Sequence, residues 1–342
     1  MRGGLVRDLG EFGLIGALQR ALPESVRAGS GLDLGIGDDA ALWRPANGDP
    51  VVISTDSLVE GIHFRLDWSD WERLGYKALA VNLSDIAAMG AVPGIAVITL
   101  GLRGSERIAD LEALYTGIGA IAQATGTRVA GGDIVSSPYA VSINVTVLGT
   151  APGGRVLTRS GAKPGDVIAV SGTLGASAAG LKLLQAGGMN ARRRATTADL
   201  IIESHLRPQP RIALGQLLLA RGASSAMDLS DGLFGDLPKL LTASGVRASV
   251  EEDRIPVAAA VRALFGHEWF HLATRGGEDY ELLFTIAHDR LTDVQVAARA
   301  IGSTITPIGE ILPGDPDQPQ IVLQTANGER PVRNGAFDHF AS

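Results

Sequence analysis

Short apolar runs that end in glycine-rich turns alternate with stretches in which apolar residues recur at helical spacing. Apolar runs of about four to eight residues are typical of β-strands, and apolar residues three or four positions apart are typical of helices. The pattern predicts strands over residues 51–56, 95–102, 129–133, 141–149, 167–170, 281–286 and 305–311, with 95–102 buried. It predicts helices over residues 11–22, 71–82, 108–125, 176–185, 212–221 and 291–300. We therefore expect an α/β (α+β) protein.

A change of composition near the middle of the chain predicts a domain boundary. Residues 150–166 are rich in proline and glycine, which favour turns over regular structure. The 342 residues also exceed a typical single domain of about 150 residues. We therefore expect an N-terminal domain over residues 1–152 and a C-terminal domain over residues 153–342.

The stretch 81–91 is the most unusual part of the pattern. Three polar residues, Asn82, Ser84 and Asp85, precede a run of small residues that ends at Gly90. We expect Ser84 or Asp85 to cap a short helical turn there, because side-chain oxygens satisfy the free N–H groups at a helix start. The small side chains should allow another backbone to approach closely. This arrangement predicts that Asp85 is held rigidly at the centre of a magnesium–phosphate site.

Composition and charge exclude several classes of function. The chain carries 37 acidic and 30 basic residues and a net charge of −7, which argues against nucleic-acid binding. It contains no cysteine, which removes disulfides, thiolate metal ligands and cysteine nucleophiles. No signal peptide is visible, and the strongest apolar run is far shorter than the roughly 20 residues that span a bilayer. We expect a cytoplasmic protein without membrane or nucleic-acid partners.

Aspartates recur at predicted strand ends and glycine turns. Each of them taken alone is explained by turn formation, which aspartate favours. If several converge, each pair of carboxylates ~4 Å apart costs about 4 kcal/mol at an effective dielectric constant of ~20, so cations or protons must offset the repulsion. Carboxylate and hydroxyl oxygens select hard ions, of which Mg²⁺ is the usual partner of phosphates. The six aspartates are Asp39, Asp56, Asp85, Asp133, Asp228 and Asp231.

Familiar nucleotide-binding and hydrolytic motifs are missing. The sequence contains no Walker A loop, no protein-kinase signature, no Gly-x-Ser-x-Gly and no His-Glu-x-x-His. The glycine turn 171–175 precedes a predicted helix and could hold a phosphate group, or it could serve packing alone. The sequence leaves these two interpretations of the turn open.

The ordered set of motifs resembles thiamine-monophosphate kinases, a family within the aminoimidazole ribonucleotide synthetase superfamily. The resemblance spans nearly the whole chain. It implies an N-terminal domain whose sheet forms a barrel-like dimer core, and a C-terminal α/β domain packed against it. The matching residues are 35–40 (Gly-Ile-Gly-Asp-Asp-Ala), 54–56 (Ser-Thr-Asp), 63–64 (His-Phe), 82–90 (Asn-Leu-Ser-Asp-Ile-Ala-Ala-Met-Gly), 131–133 (Gly-Gly-Asp), 157–162 (Leu-Thr-Arg-Ser-Gly-Ala), 228–232 (Asp-Leu-Ser-Asp-Gly), 276–282 (Gly-Gly-Glu-Asp-Tyr-Glu-Leu) and 338–340 (Asp-His-Phe).

The same resemblance implies a set of site residues and a homodimer. Several Mg²⁺ ions would be held by Asp39, Ser54, Thr55, Asp56, Asp85, Asp133, Asp228 and Asp231. ATP would contact Gly132, Asp133, Arg159 and Ser230, and thiamine monophosphate would contact His63, Glu278 and Phe337. Catalysis is expected to depend most on Asp56, Asp85, Asp133 and Arg159. The chain departs from the family pattern at Ala40, Ile134 and Phe337, where cysteine, threonine, and tryptophan or tyrosine are common.

The function implied is transfer of the γ-phosphate of ATP to thiamine monophosphate. Phosphoryl transfer needs positioning and charge neutralisation, and an acceptor phosphate is already anionic, so no strong general base is required. Two alternatives stay open: an ATP-dependent ligase resembling aminoimidazole ribonucleotide synthetase, and a non-catalytic sensor of nucleotide or thiamine phosphate. Selenophosphate synthetases and hydrogenase-maturation dehydratases are disfavoured because the chain lacks their cysteine.

Overall fold

Two mixed β-sheets, one in each half of the chain, carry helices on their faces. The computed structural model describes Ile15 and residues 32–45, 48–187 and 197–332. Apart from Ile15, which is helical, the predicted helix 11–22 lies outside these residues, as does Phe337. No helix in the described part of the chain is long and apolar enough to cross a membrane.

The N-terminal sheet has six strands and is covered on one face by two helices. Its elements are β1 (Leu32–Leu34), β2 (Ala41–Trp43), β3 (Val51–Val59), α1 (Trp71–Ala88), β4 (Val92–Leu102), α2 (Ile108–Thr125), β5 (Arg128–Ser136) and β6 (Ser142–Thr150). The strand order is β1-β2-β3-β6-β4-β5, and only β4 and β5 pair in parallel. Among the described residues, β1 and β5 are open edges, so one chain does not close the sheet into a barrel.

The two faces of this sheet differ because side chains alternate along each strand. Along β3, Val52 and Leu58 are buried and Thr55 between them is exposed. On β4, Ile95 and Val97 are 41% and 37% exposed, so the prediction that this strand is buried is wrong for one of its faces. The sheet therefore presents an uncovered, partly apolar face on the side opposite α1 and α2.

The C-terminal sheet has seven strands, and helices cover both of its faces. Its elements are β7 (Val167–Ser171), α3 (Ala176–Gly187), α4 (Thr197–Leu206), α5 (Ile212–Arg221), β8 (Ser225–Asp228), α6 (Leu233–Ser244), β9 (Arg247–Glu251), α7 (Ala259–Phe265), α8 (Trp269–Arg275), β10 (Leu282–Ile286), α9 (Leu291–Ala300), β11 (Ile305–Leu312), β12 (Ile321–Thr325) and β13 (Gly328–Pro331). The strand order is β13-β12-β9-β11-β7-β10-β8, with β12 and β9 parallel. The sequence pattern missed α4, α6, α7, α8, β8, β9, β12 and β13.

Helix α1 joins the two halves of the molecule. Its last residues, Ala87 and Ala88, belong to the apolar core formed by the C-terminal sheet, α5 and α9. A side chain added at Gly215 of α5 would lie 1.8 Å from the Ala87 carbonyl oxygen, so the two helix backbones are in direct contact. Gly90, at φ +66°, ends the helix as predicted. The close approach expected from the small residues is confirmed.

The prediction that Ser84 or Asp85 caps a helix is wrong. One continuous helix runs from Trp71 to Ala88, and its N-cap is Asp70, which accepts a hydrogen bond from the Arg73 N–H at 2.8 Å. No proline interrupts the chain between these ends, so nothing starts a new helix at residue 84. The polar residues lie instead in the last two turns, where the helix dipole does not favour a carboxylate.

The glycine turn predicted after residue 130 is also absent. Strand β5 continues through Gly131, Gly132 and Asp133 to Ser136. Gly131, at φ +150°, lies at a register shift opposite Ala96 and Val97, which is typical of a β-bulge. The glycines therefore shape the strand rather than end it.

Candidate active site

Three carboxylates from distant parts of the chain meet where the two domains join. Asp39 precedes β2, Asp85 lies in α1, and Asp228 is the last residue of β8. One carboxylate oxygen from each lies within 4.8 Å of the others. Among the described residues this is the group of acidic side chains whose geometry suits a metal ion. We refer to Asp39, Asp85 and Asp228 as the carboxylate cluster.

Burial and mutual repulsion disfavour the charged forms of the cluster. The pKa of Asp85 is raised well above its ordinary value by burial, and then by the charges of Asp228, Asp56 and Asp39. The pKa of Asp228 is also raised, first by burial and then by Asp39. Such groups stay ionised together only when cations offset their charge.

Hydroxyl groups and one further carboxyl group surround the cluster. The Ser84 hydroxyl donates to Asp228 Oδ2 at 2.6 Å, which connects α1 to β8. The Ser54 hydroxyl donates to Asp85. Asp56, on the same face of β3 as Ser54, lies within hydrogen-bonding reach of Asp85. Two carboxyl groups make such a contact only when they share a proton or a cation.

The donor set fits a divalent cation. The Asp39 side chain is only 2% exposed, and its Oδ2 atom is buried without a hydrogen-bond partner. Burying a charged oxygen without a partner is costly, so this atom is suited to a ligand absent from the protein itself. All of the converging atoms are carboxylate or hydroxyl oxygens, which Mg²⁺ prefers.

Arg159 and Asp38 border the cluster. The Arg159 guanidinium forms an ion pair with Asp39, and its backbone N–H donates to Asp38 Oδ2 at 3.1 Å. Burial, followed by repulsion from Asp39, raises the pKa of Asp38 to about 6. Arg159 therefore lies at the cluster, where the sequence placed an ATP contact, although here its partner is a carboxylate.

Asp231, a predicted metal ligand, is paired with a lysine instead of joining the cluster. Lys239 Nζ lies 2.6 Å from Asp231 Oδ2 and 2.9 Å from Asp236 Oδ1. Asp236 also accepts the Asp231 N–H at 2.8 Å, so both of its oxygens are bonded. In the described structure the charge of Asp231 is thus balanced by Lys239.

Thr55 and Asp133 do not converge with the other predicted ligands either. Thr55 points to the uncovered face of the sheet, where its hydroxyl donates to the Val145 carbonyl at 3.1 Å. Asp133 pairs with Thr99 of β4, which places it on that same face. Three strand spacings, or about 14 Å, separate β5 from β3. Gly132, the residue before Asp133, packs closely against β4, and a Cβ atom added there would lie 1.8 Å from the Ile98 carbonyl oxygen.

A second polar cluster lies beside the first, and it contains two residues predicted to bind substrate. Glu278 Oε2 accepts from Lys77 Nζ at 3.0 Å and lies 3.2 Å from His205 Nδ1. Burial raises the pKa of Glu278, but Lys77, His205 and then His63 outweigh it, and the net shift is downward. Burial, and then Lys77, lower the pKa of His205 to about 4, so this imidazole is neutral at pH 7. His63 and Glu278 are thus brought to one place.

The turn 171–175 is already occupied by a carboxylate of the protein. Asp279 accepts from the Gly175 N–H at 2.7 Å and from the Ser177 N–H at 3.2 Å, and so caps α3. These are the N–H groups that a phosphate would use at a helix start. The interpretation of the turn as a packing element is therefore the one that the geometry favours. Ser230 lies nearby, and its carbonyl oxygen accepts the Glu278 N–H at 2.8 Å.

Sequence reasoning missed several residues at the site. Asp38, Ser84, Lys77 and His205 all contact predicted site residues. Lys77 could have been found, because a lysine buried in the apolar run 74–83 needs a charged partner, and it lies on the same helix face as Ser84, seven residues away. Nothing in the sequence around His205 indicates that it belongs to the site, because its partners are distant in sequence.

Comparisons with known proteins place this two-domain chain in one class. The chain matches the N-terminal domain of AIR synthase related proteins over residues 37–151 and the C-terminal domain over residues 163–321. Both halves of the chain are therefore those of an AIR synthase related protein.

Individual relatives narrow the class. The thiamine-monophosphate kinase of Bacillus subtilis (strain 168) is 34% identical over 330 residues, which cover 96% of this chain and 99% of that protein. The enzyme of the same name from Escherichia coli (strain K12) is 42% identical over 281 residues, 82% of this chain and 84% of that one. The chain belongs to the thiamine-monophosphate kinase family.

Solved structures agree with this assignment. AaThiL complexed with AMPPCP and TMP superposes with a TM-score of 0.84 at 30% identity, over 99% of this chain and 100% of that one. The thiamine-monophosphate kinase of Stenotrophomonas maltophilia K279a gives a TM-score of 0.75 at 36% identity, over 90% and 94% of the two chains. The two-domain fold expected from the sequence is thereby confirmed.

Proposed function

We propose that this protein phosphorylates thiamine monophosphate to thiamine diphosphate, with ATP as the phosphoryl donor. The observation that carries the proposal is the convergence of Asp39, Asp85 and Asp228 around an unpartnered carboxylate oxygen. A membership in the thiamine-monophosphate kinase family, and a relative complexed with AMPPCP and TMP, support the choice of substrates. An ATP-dependent reaction of this kind fits the cytoplasm.

Divalent ions, which we take to be several Mg²⁺, would be held by Asp39, Asp85 and Asp228. Asp56, which contacts Asp85, would be a further ligand. Bound there, the ions would neutralise two phosphate-bearing substrates that otherwise repel one another. The protein's own contribution is to fix the ligands: Ser84 orients Asp228, and Ser54 orients Asp85. Arg159 would bind a phosphate group once Asp39 binds an ion instead of the Arg159 guanidinium.

The Lys77–His205–Glu278 cluster would bind the thiamine end of the acceptor. Lys77 keeps Glu278 ionised, and an ionised carboxylate attracts the cationic thiazolium and accepts hydrogen bonds from an amino group. His63 contributes to the same side of the site. Phe337 remains a predicted contact for the ring, and it lies outside the described residues.

We also infer that the protein acts as a homodimer built on the uncovered face of the N-terminal sheet. All nine residues of β5 are exposed, and apolar side chains on the uncovered face, such as Val135, at 46%, and Ile95, at 41%, are left without cover. Exposed edge strands and apolar faces are usually covered in native proteins. The barrel-like core expected for the domain 1–152 would then form between two copies, and Thr55 and Asp133 would face the partner.

This inference predicts that residues of two copies complete one site. Asp85→Asn and Asp133→Asn homodimers are each expected to be inactive. A heterodimer of the two variants, purified through different tags, is expected to regain about half of the wild-type activity, because a two-fold axis leaves one of its two sites intact. No recovery in the heterodimer would show that each chain builds its site alone, and a monomer in light scattering would remove the dimer itself.

The function is tested by incubating the protein with ATP and Mg²⁺ and one acceptor at a time. The acceptors are thiamine monophosphate, thiamine and formylglycinamidine ribonucleotide. We expect thiamine diphosphate from the first only. Aminoimidazole ribonucleotide from the third would replace the proposal with the ligase alternative, and binding of thiamine monophosphate without turnover would identify a sensor.

A further inference from the structure

Tyr280 is a buried residue that the apolar cores do not use. Its side chain is 8% exposed, yet it belongs to none of the apolar clusters in the described part of the chain. Its backbone has φ +50°, a left-handed conformation that is costly for a bulky side chain. Backbone strain of this kind persists only where surrounding contacts enforce it, and it is common at binding sites.

The contacts that enforce this conformation lie on both sides of Tyr280. Its N–H donates to the Leu229 carbonyl at 2.9 Å, directly after Asp228. Glu278, which also has a positive φ of 66°, donates its N–H to Ser230, and the carboxylate of Asp279 caps α3. Tyr280 is thus fixed between the end of β8 and the Glu278 side of the site.

The Tyr280 hydroxyl faces negative charge from both polar clusters. Burial raises the pKa of Tyr280 well above its ordinary value, and Glu278, Asp56, Asp228 and Asp85 raise it further, so the phenol keeps its proton. Within the described residues, no group accepts a hydrogen bond from this hydroxyl. The hydroxyl oxygen is not among the fully buried atoms without a partner, so it is accessible from the site, and a ligand that enters the site can accept its hydrogen bond.

We propose that the Tyr280 hydroxyl binds the phosphate of the acceptor substrate. Tyr280 follows Glu278, on the side assigned to the thiamine moiety, by two residues, and its N–H bonds to Leu229, which directly follows Asp228 on the side assigned to the ions. A neutral donor suits this position, because another carboxylate would repel the phosphate and the nearby ammonium of Lys77 is already bonded to Glu278. The inference deepens the proposed function and rests on it.

The test compares Tyr280→Phe with a matched control, Tyr76→Phe. Tyr76 is also buried, but it packs in the N-terminal core, and its side chain contacts Arg207 and Gln209 rather than a residue of either polar cluster. We expect Tyr280→Phe to raise KM for thiamine monophosphate by about 10- to 100-fold, the effect of losing one hydrogen bond to a charged group. KM for ATP, calorimetric binding of AMPPCP with Mg²⁺ and the melting temperature should stay at wild-type values, and the kinetic and binding parameters of Tyr76→Phe should also be those of the wild type.

Three results would overturn the proposal: unchanged kinetics in Tyr280→Phe, an equal loss for ATP or AMPPCP, or a fall in melting temperature as its sole effect. If the wild-type protein makes no thiamine diphosphate, the proposed function fails, and equilibrium binding of thiamine monophosphate decides the role of Tyr280. Weaker binding by Tyr280→Phe than by the wild type supports the role. Equal binding, or no binding by either protein, refutes it.

Discussion

Asp85→Asn is expected to lower the rate of thiamine diphosphate formation by at least about 10²-fold, comparable to removing one pre-organised electrostatic group from an active site. The same substitution should raise the melting temperature of the metal-free protein at pH 8. Asp85 is surrounded by the charges of Asp228, Asp56 and Asp39, and an amide of the same shape relieves that repulsion. It can still accept the hydrogen bond from Ser54. Each kcal/mol relieved should add about 2–4 °C.

A lower rate together with a higher melting temperature distinguishes the loss of a metal ligand from damage to the fold. A control variant, Asp293→Asn, removes an exposed carboxylate that pairs with Arg221 on the surface of the C-terminal domain. It should change neither rate nor melting temperature measurably, since surface substitutions usually stay within about 0.5 kcal/mol. Near-normal turnover in Asp85→Asn would remove Asp85 from the ion site, and a lower melting temperature would mean that the cluster charges do not repel.

Local patterns predicted those parts of the fold that local sequence determines. The helices Ile108–Thr125, Ile212–Arg221 and Leu291–Ala300 have the predicted bounds, because each shows helical periodicity and ends at or near a glycine or a turn. Helix α6 was missed because its apolar run follows the Asp-Leu-Ser-Asp-Gly motif and contains Pro238, which suggests a loop. The change of composition over residues 150–166 and the chain length, rather than periodicity, gave the two-domain arrangement.

The site was predictable as a list of residues but not as a geometry. Sequence motifs named Asp39, Asp85 and Asp228, which do converge. They also named Thr55 and Asp133. These two residues lie on the uncovered face of the sheet, on strands three spacings apart, and do not join the cluster. A strand residue's face depends on register, and a one-residue difference reverses it. Ion pairs such as Lys77–Glu278, 201 positions apart, cannot be read from spacing at all.

The metal-free protein is expected to lose stability as the pH rises from 5 to 8. Burial and neighbouring charges raise the pKa of Asp38 and Asp236 to about 6 and that of Asp279 to about 7, and they raise the pKa values of Asp39, Asp85 and Asp228 as well. Between pH 4 and 7 the folded state therefore binds more protons than the unfolded state. Each such proton removes about 1.4 kcal/mol of stability per pH unit as the pH rises. His205, with its pKa lowered to about 4, acts in the opposite sense by a single proton.

Mg²⁺ should reverse the part of this loss that comes from Asp39, Asp85 and Asp228, because it binds these carboxylates only when they are ionised and then neutralises them in place of protons. Its effect on the melting temperature should be small at pH 5 and large at pH 8, where an ion concentration 100 times Kd adds about 2.7 kcal/mol per site. Asp279, which caps α3 away from the ions, provides the control. Asp279→Asn should flatten the pH dependence without changing the response to Mg²⁺, measured by thermal unfolding in chelator and in added Mg²⁺. A Mg²⁺ effect that is equal at pH 5 and pH 8 would mean that the ion does not bind at these carboxylates.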